Sequence, residues 1–395
     1  MNKATSTIVE HFSLTQGGLL HRVLDRLGQA KDDGRHAVVR PLLVVLVTWL
    51  PLFILSVAQG VAYGPQIQIP FLKDFAVNVR FLVALPILLL AGSAVDGTWH
   101  SIVSQFLSSG LVGESELPSF EAVIAKVTRL RDSALPELVI LVLAFLPSIL
   151  ALKTAALMSG VTNWHVIGMG STETSLAGRW FDVVSMPIFR FMLLQWVWRM
   201  FLWTCFLWRA SRTKLYLVAS HSDLAAGLGF VTGGQKAYSP IVFAGGAVIA
   251  AQVGNAIAYE GQSLSTMKFP MIAYGVLAIL LLVAPLVVLG PVLRNVKRKA
   301  LREYGDLVTT HNQLFETKWI RNKRSHDDVI LGNPDASSLI DLGDSFTVIR
   351  QMVIIPINKQ TLVSLAAAAA LPMLPVVLLV VPTKDVLHTV LKMLG

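Results

Sequence analysis

One cysteine, Cys205, is all that the 395 residues contain. That excludes an intramolecular disulfide and any metal centre built from several thiolates. Inside an apolar run, a lone cysteine reads as a small core residue. Charge is scarce too: 14% of the chain is Asp, Glu, Lys or Arg, against roughly 25% in an ordinary soluble domain. Acidic side chains are missing where they would matter most. No Asp or Glu falls well inside a long apolar run; Glu137, Asp182 and Glu260 sit at edges. Proton- and sodium-coupled carriers ordinarily need a carboxylate or histidine at membrane depth, so the shortage argues against them. The nine histidines lie outside the apolar runs. That argues against a b-type haem or a quinone protein with histidines on facing helices. Met1 to Arg40 is polar and lacks the short apolar core of a cleaved secretory signal. No basic module interleaved with aromatics suggests nucleic acid. The net charge of +9 fits a membrane protein with a positive inner side.

What is present is apolar length. Seven runs are long enough to cross about 30 Å of hydrocarbon as helices: Val38–Ala62, Arg80–Val95, Glu137–Met158, Phe181–Leu202, Ile241–Tyr259, Ile272–Leu293 and Leu362–Val381. The expected fold class is an all-α integral membrane protein with about seven transmembrane helices plus amphipathic and cytoplasmic helices. Roughly four basic residues fall on the N-terminal side of these spans for each one opposite, which predicts a cytoplasmic N-terminus. Residues 1–37 form an N-terminal segment, in which Leu14, Val23, Leu24 and Leu27 suggest an amphipathic helix on the inner surface. Residues 38–293 hold six spans with inner loops at 98–135 and 209–238. The first of these loops should carry Ile102, Phe106, Val123, Ile124 and Val127 on apolar faces. Residues 294–358 form a cytoplasmic helical segment, and 359–395 the last span with an outer amphipathic tail at Asp385–Leu394. In 294–358, Leu301, Tyr304, Val308, His311 and Phe315 recur like a heptad seam. Leu339, Leu342, Phe346 and Ile349 line a second helix, expected to pair with the first or with a neighbouring subunit.

The stretch Trp180–Phe230 carries the chemistry. Arg190 sits about 13 Å inside the fourth run at 1.5 Å per residue, and a charge at that depth usually faces a bundle interior or a wet cavity. Gln252 and Asn255, three apart on the fifth run, offer carbonyl oxygens at similar depth. The plain alternative is an arginine held by amides and backbone carbonyls. Arg199, with Arg209 and Arg212, reads as an interfacial basic group whose side chain can snorkel; it lies about half a turn of helix circumference from Arg190. Lys153 and Asp182 are a candidate ion pair. His221 and Asp223 are weak candidates for an acid–base pair or half a metal site. No third ligand stands near in sequence, so neither a metal nor a cofactor is expected, and Asp223 capping a turn is the simpler reading. The glycines from Gly229 to Gly234 miss the phosphate-loop pattern, because Gln235 separates the last glycine from Lys236 and Ala237 replaces the hydroxyl residue. Gly245-Gly246 and the alanines Ala366–Ala370 suit close helix contact.

Two stretches carry a resemblance. HSDLAAGLGF, residues 221–230, resembles a His-Pro-Asp-x-x-Gly-Gly-Leu-Gly-Phe loop of a group of bacterial multi-pass inner-membrane proteins. PDASSLIDLGDSFTVIRQMVIIPINKQTL, residues 334–362, resembles that group's last cytoplasmic helix and its approach to the last span. The arginine-bearing fourth span is similar as well. This chain departs at Ser222, where the group has proline, and at Ala226, where it has glycine. The resemblance implies placement in a bacterial inner membrane and carries no established activity.

The leading expectation is a passive channel or an anion- or lipid-binding transport protein, with Arg190, Gln252 and Asn255 at the contact and a homo-oligomeric assembly in the bilayer. A membrane-embedded enzyme acting on a lipid or polyisoprenoid through His221 and Asp223 is the alternative. A signalling or scaffold protein using residues 294–358 is a further one.

Overall fold

A computed structural model describes residues 12–15, 17, 34–65, 67–154, 162–166, 173–321 and 334–380. Those residues are helical or irregular, with three isolated bridges and no strand. Seven helical stretches are long and apolar enough to cross a membrane: Pro41–Ala58, Phe75–Ser108, Glu114–Ile149, Leu176–Ala210, Gly229–Tyr259, Leu264–Val287 and Lys359–Leu378. They match the seven apolar runs one for one. The protein is an all-α, multi-pass membrane protein.

Span one is α1 (Gly34–Thr48) and α2 (Leu50–Ala58), and span two is α3 (Phe75–Val79), a π turn (Arg80–Ala84) and α4 (Leu85–Ser108). α5 (Leu117–Arg131) leads into α6 (Ala134–Thr154), the third span. Span four is α7 (Leu176–Trp180), a second π turn (Phe181–Ser185) and α8 (Met186–Ala210). A short α9 (Thr232–Lys236) precedes α10 (Ser239–Tyr259), and α11 (Leu264–Val287) is the sixth span. α12 (Gly290–Glu316) and α13 (Pro334–Gln351) pack on each other outside the spans, and α14 (Lys359–Ala370) opens the seventh.

Outward faces are apolar: Leu42, Leu46, Leu141, Val142, Ile272 and Leu280 are all exposed. A lipid-facing helix surface does not need to hide such side chains from water. Close packing inside depends on small residues, as expected. A Cβ at Gly246 would stand 2.8 Å from the Ala369 carbonyl oxygen and 2.8 Å from Pro372, so α10 and α14 meet almost backbone to backbone. Ala368 and Ala369 are buried in that contact.

The two ends of the bundle differ. At one end, which we call the basic end, the strap Phe12–Thr15, the 211–238 segment, α5 and the residues after α13 come together. Phe12 and Leu14 are buried there, the amides of Leu14 and Thr15 donate to Asp96, and Tyr216 N–H donates to the Leu111 carbonyl. Ile102, Phe106, Val123, Ile124 and Val127 are all buried at this end. The 98–135 segment is therefore less of a loop than its sequence suggests: α4 continues the second span to Ser108. At the opposite end, the chain after span one meets the chain before span four through the Ile69–Asn163 bridge and through the Gln59 side-chain Oε1, which accepts from Leu176 N–H. The expected α12–α13 pairing is seen, with His311 Nε2 3.0 Å from Ser338 Oγ, and with Lys318 and Trp319 both bonded to Asp335. Lys318 and its partners hold the exposed Asp335 carboxyl below the usual range. The expected N-terminal helix at Val23–Leu27 and the tail at Asp385–Leu394 lie outside the described residues.

Candidate functional site

Spans two and four each carry a π turn, and each turn precedes a proline by the same distance. Pro86 follows Arg80–Ala84, and Pro187 follows Phe181–Ser185. A proline supplies no N–H, and its ring crowds the carbonyl four residues back. Those carbonyls belong to Leu82 and Val183, inside the two π turns. Each helix accommodates its proline by taking up one extra residue, a distortion common at functional positions. The turns face each other: Phe81 meets Phe181 edge-on with centroids 6.1 Å apart, and Phe189 at 6.2 Å.

This geometry brings two arginines together. Arg80, on the first π turn, is 8% exposed, and its guanidinium lies 5.6 Å from the Phe189 ring centroid. Arg190 follows Phe189 directly and is close enough to Arg80 for the two charges to repel. Arg190 donates from Nη1 to Ser148 Oγ at 2.9 Å and more weakly to the Ala144 carbonyl at 3.5 Å. The Arg80 side chain makes no hydrogen bond or ion pair among the described residues. By hydropathy alone Arg80 falls at the outer margin of its span. The correction is physical: the helix begins at Phe75, capped by Asp74, so Arg80 lies inside it.

Two carboxylates stand within electrostatic range, Asp74 of Arg80 and Asp182 of Arg190, but their hydrogen bonds go elsewhere. Asp74 accepts from Trp164 Nε1 and Asn255 Nδ2, both at 2.8 Å, and from the amide of Val77 at 3.1 Å. Asp182 pairs with His165 at 3.1 Å; the side chain of Lys153, its expected partner, lies outside the described residues. The carboxylates thus offset part of the charge at a distance while most guanidinium donors stay uncommitted.

Several expected contacts are corrected. Asn255 does not serve Arg190: its oxygen accepts from the Phe75 amide at 3.0 Å, and its nitrogen is spent on Asp74. Gln252 is exposed on the surface of α10, where it cannot complete a site around Arg190. Arg199 does not reach outward. Its guanidinium lies 4.7 Å from the centroid of the buried Trp196 ring. Arg212 is exposed and lies 5.2 Å from the Trp208 ring centroid, while Arg209 is half-buried at the end of α8.

His221 and Asp223 do meet, with Nδ1 2.9 Å from Oδ1. The carboxylate is committed to its own loop. Oδ1 accepts from the amides of Ala225 at 2.8 Å and Gly227 at 3.1 Å, and Oδ2 accepts from Gly229 at 2.8 Å. Burial pushes the Asp223 carboxyl up, but those three amides and His221 outweigh it and hold the group below its usual range. A carboxylate so engaged is a poor proton acceptor. No third His, Cys, Asp or Glu joins the pair into a metal-binding group among the described residues. The arrangement is that of a capped turn.

Fold and site together define a multi-pass helical membrane protein with two arginines on neighbouring spans, Arg80 buried and Arg190 half-buried. No family model, curated protein or solved structure matches the chain.

The arginine at position 190 was legible in the sequence; its companion was not. The overlooked signal was the shared spacing of Arg80 to Pro86 and Phe181 to Pro187, two prolines distorting two neighbouring spans alike.

Proposed function

We propose that this protein binds an anion, or the phosphate of an anionic lipid, between Arg80 and Arg190, and serves as a passive channel or transport protein. One observation supports this reading above others: two arginines inside the spans repel each other, yet neither is within ion-pairing distance of a carboxylate among the described residues. Arg80 is buried and Arg190 half-buried, so keeping the first charged beside the second is costly. An anion between them would convert that repulsion into attraction and use the free N–H groups. In this reading the basic end faces the cytoplasm of a bacterial inner membrane, as the concentration of Lys and Arg there supports. Gln252, polar and exposed on a span, favours a homo-oligomer, because a second copy would supply the hydrogen bond that lipid cannot.

The test is anion flux through reconstituted proteoliposomes. Wild type should conduct a small anion. Arg190→Gln and Arg80→Gln should each lower the flux by about tenfold or more, the equivalent of ~1.4 kcal/mol. Equal flux in all three proteins, or none in wild type, removes the proposal.

A further inference from the structure

A second set of donors lies on the opposite side of span four, about half a circumference from Arg190. It is built on Arg199. The guanidinium sits against Trp196, and Trp196 meets Tyr238 edge-on at 5.9 Å. Tyr238 packs 5.8 Å from Trp99, which stacks on Trp203 at 5.3 Å with the rings 9° from parallel. Four helical elements contribute: α4, α8, α9 and the turn into α10.

The cluster is deeply buried and its polar groups are unmatched. Tyr238 is 2% exposed, and Trp99 and Trp203 are fully buried. The Tyr238 hydroxyl, Trp99 Nε1 and Trp203 Nε1 have no hydrogen-bond partner among the described residues, and neither does the Oε1 of the adjacent buried Gln235. Arg199 makes no hydrogen bond or ion pair among the described residues. Its charge neighbours are Tyr238 and Asp96, and Oδ1 of Asp96 is occupied by the amides of Leu14 at 2.9 Å and Thr15 at 3.2 Å. The guanidinium lies against Gly92, where a Cβ would stand 3.9 Å from Arg199 Nη1.

A buried polar group without a partner costs about 1–3 kcal/mol, and folded proteins contain few of them. Here several fall in one packed cluster, and nearly all are donors. Tryptophan donates only, and arginine donates only. A ligand that satisfies them must be rich in acceptors and negative. We propose that Arg199, Tyr238 and the indole N–H groups of Trp99 and Trp203 form a second binding site, for a phosphate-type oxyanion. The oxyanion comes either free from the basic end or as the headgroup of an anionic lipid. This inference does not rest on the Arg80–Arg190 pair.

The aromatic rings supply the readout. Full-length protein in detergent is titrated with inorganic phosphate and, separately, with short-chain phosphatidic acid, while tryptophan emission is followed. The expected result is a saturable change in emission. Arg199→Gln should weaken it about tenfold or more, as loss of a charged hydrogen-bond donor does. Tyr238→Phe, which keeps the ring and removes only the hydroxyl, should weaken it severalfold. Arg190→Gln, which alters the other proposed anion site, should keep the Arg199-dependent part of the response, so this result and the flux result are read separately. Saturation by phosphate identifies a free anion, and saturation by phosphatidic acid alone identifies a lipid headgroup. No saturable response to either probe overturns the proposal. So does an undiminished response in both Arg199→Gln and Tyr238→Phe.

Discussion

The amide of Val353 donates to the carbonyl oxygen of Leu224 at 2.7 Å. A second tie, from Thr232 Oγ1 to the Pro356 carbonyl at 2.6 Å, lies beside it. The stretches 221–230 and 334–362 are therefore in contact. The loop between spans four and five serves as a seat for the chain returning to span seven. Asp223 shapes that seat by drawing three amides onto one carboxylate.

Removing that carboxylate should loosen the seat. Asp223→Ala leaves the amides of Ala225, Gly227 and Gly229 without their acceptor, at a cost of roughly 1–3 kcal/mol. Amide hydrogen exchange at these residues and at Val353 should accelerate together. The folded carboxyl titrates below its ordinary value, so its contribution is fully present above about pH 3.9. It is lost as pH falls through the lowered value. Unchanged exchange in the variant at neutral pH would show that the loop is held by other contacts.

Ala226→Gly should stabilise the protein. Ala226 has φ 56° and Leu224 has φ 58°, and a residue with a Cβ pays roughly 1–2 kcal/mol there that glycine does not. Some of this is returned as backbone entropy of the unfolded chain, leaving a gain of under about 1 kcal/mol. Gly229→Ala should do the reverse, because its Cβ would stand 3.0 Å from the Asp223 Cβ and carboxylate oxygen. Thermal unfolding in detergent measures both. A lower midpoint for Ala226→Gly would contradict the strain.

These details show what sequence reasoning reached. The spans were legible because apolar length is a one-dimensional property. The capped turn at Asp223 was legible because aspartate before a glycine-rich stretch has few other uses. Partners across the bundle were not. Asn255 stands at a depth that suits Arg190, yet the packing of α3 against α10 gives it to Asp74 and Phe75. Arg80 looked peripheral because the chain leading to it, KDFAVNVR, is less apolar than the FLVALPILLL run beyond it. Only the N-cap at Asp74, bonded to the Val77 amide, shows that the helix has already begun. The Trp99–Trp203 stack joins residues far apart in sequence, and no local pattern announces it.

The α10–α14 contact should tolerate no side chain at Gly246. A Cβ would meet the Ala369 backbone carbonyl, which cannot rotate away. Overpacking of this kind costs about 1–3 kcal/mol. Gly246→Ala should lower the thermal midpoint, whereas Gly275→Ala, whose Cβ would meet nothing within 4 Å, should be neutral or better. Equal midpoints for the two variants would mean that the helices separate more easily than their packing implies.

The arginine pair makes stability and function move in opposite directions. A merely structural Arg80 would be expected to stabilise what surrounds it; this one gains from the Phe189 ring beneath it, but its side chain makes no hydrogen bond among the described residues and a like charge lies nearby. Arg80→Met removes the repulsion and a buried charge while preserving much of the side-chain volume. Exchanges of buried charge for packed apolar groups are often neutral or stabilising, by as much as about 1–4 kcal/mol in measured cases. The variant should therefore unfold at the same temperature as wild type or higher, while anion flux falls. A double-mutant cycle with Arg190→Met should show coupling, because relieving the repulsion once leaves less for the second change to relieve. Additive effects on stability would place the two side chains out of electrostatic reach. A marked loss of stability in Arg80→Met would make the arginine a structural element, and the case for an anion between the pair would fall with it.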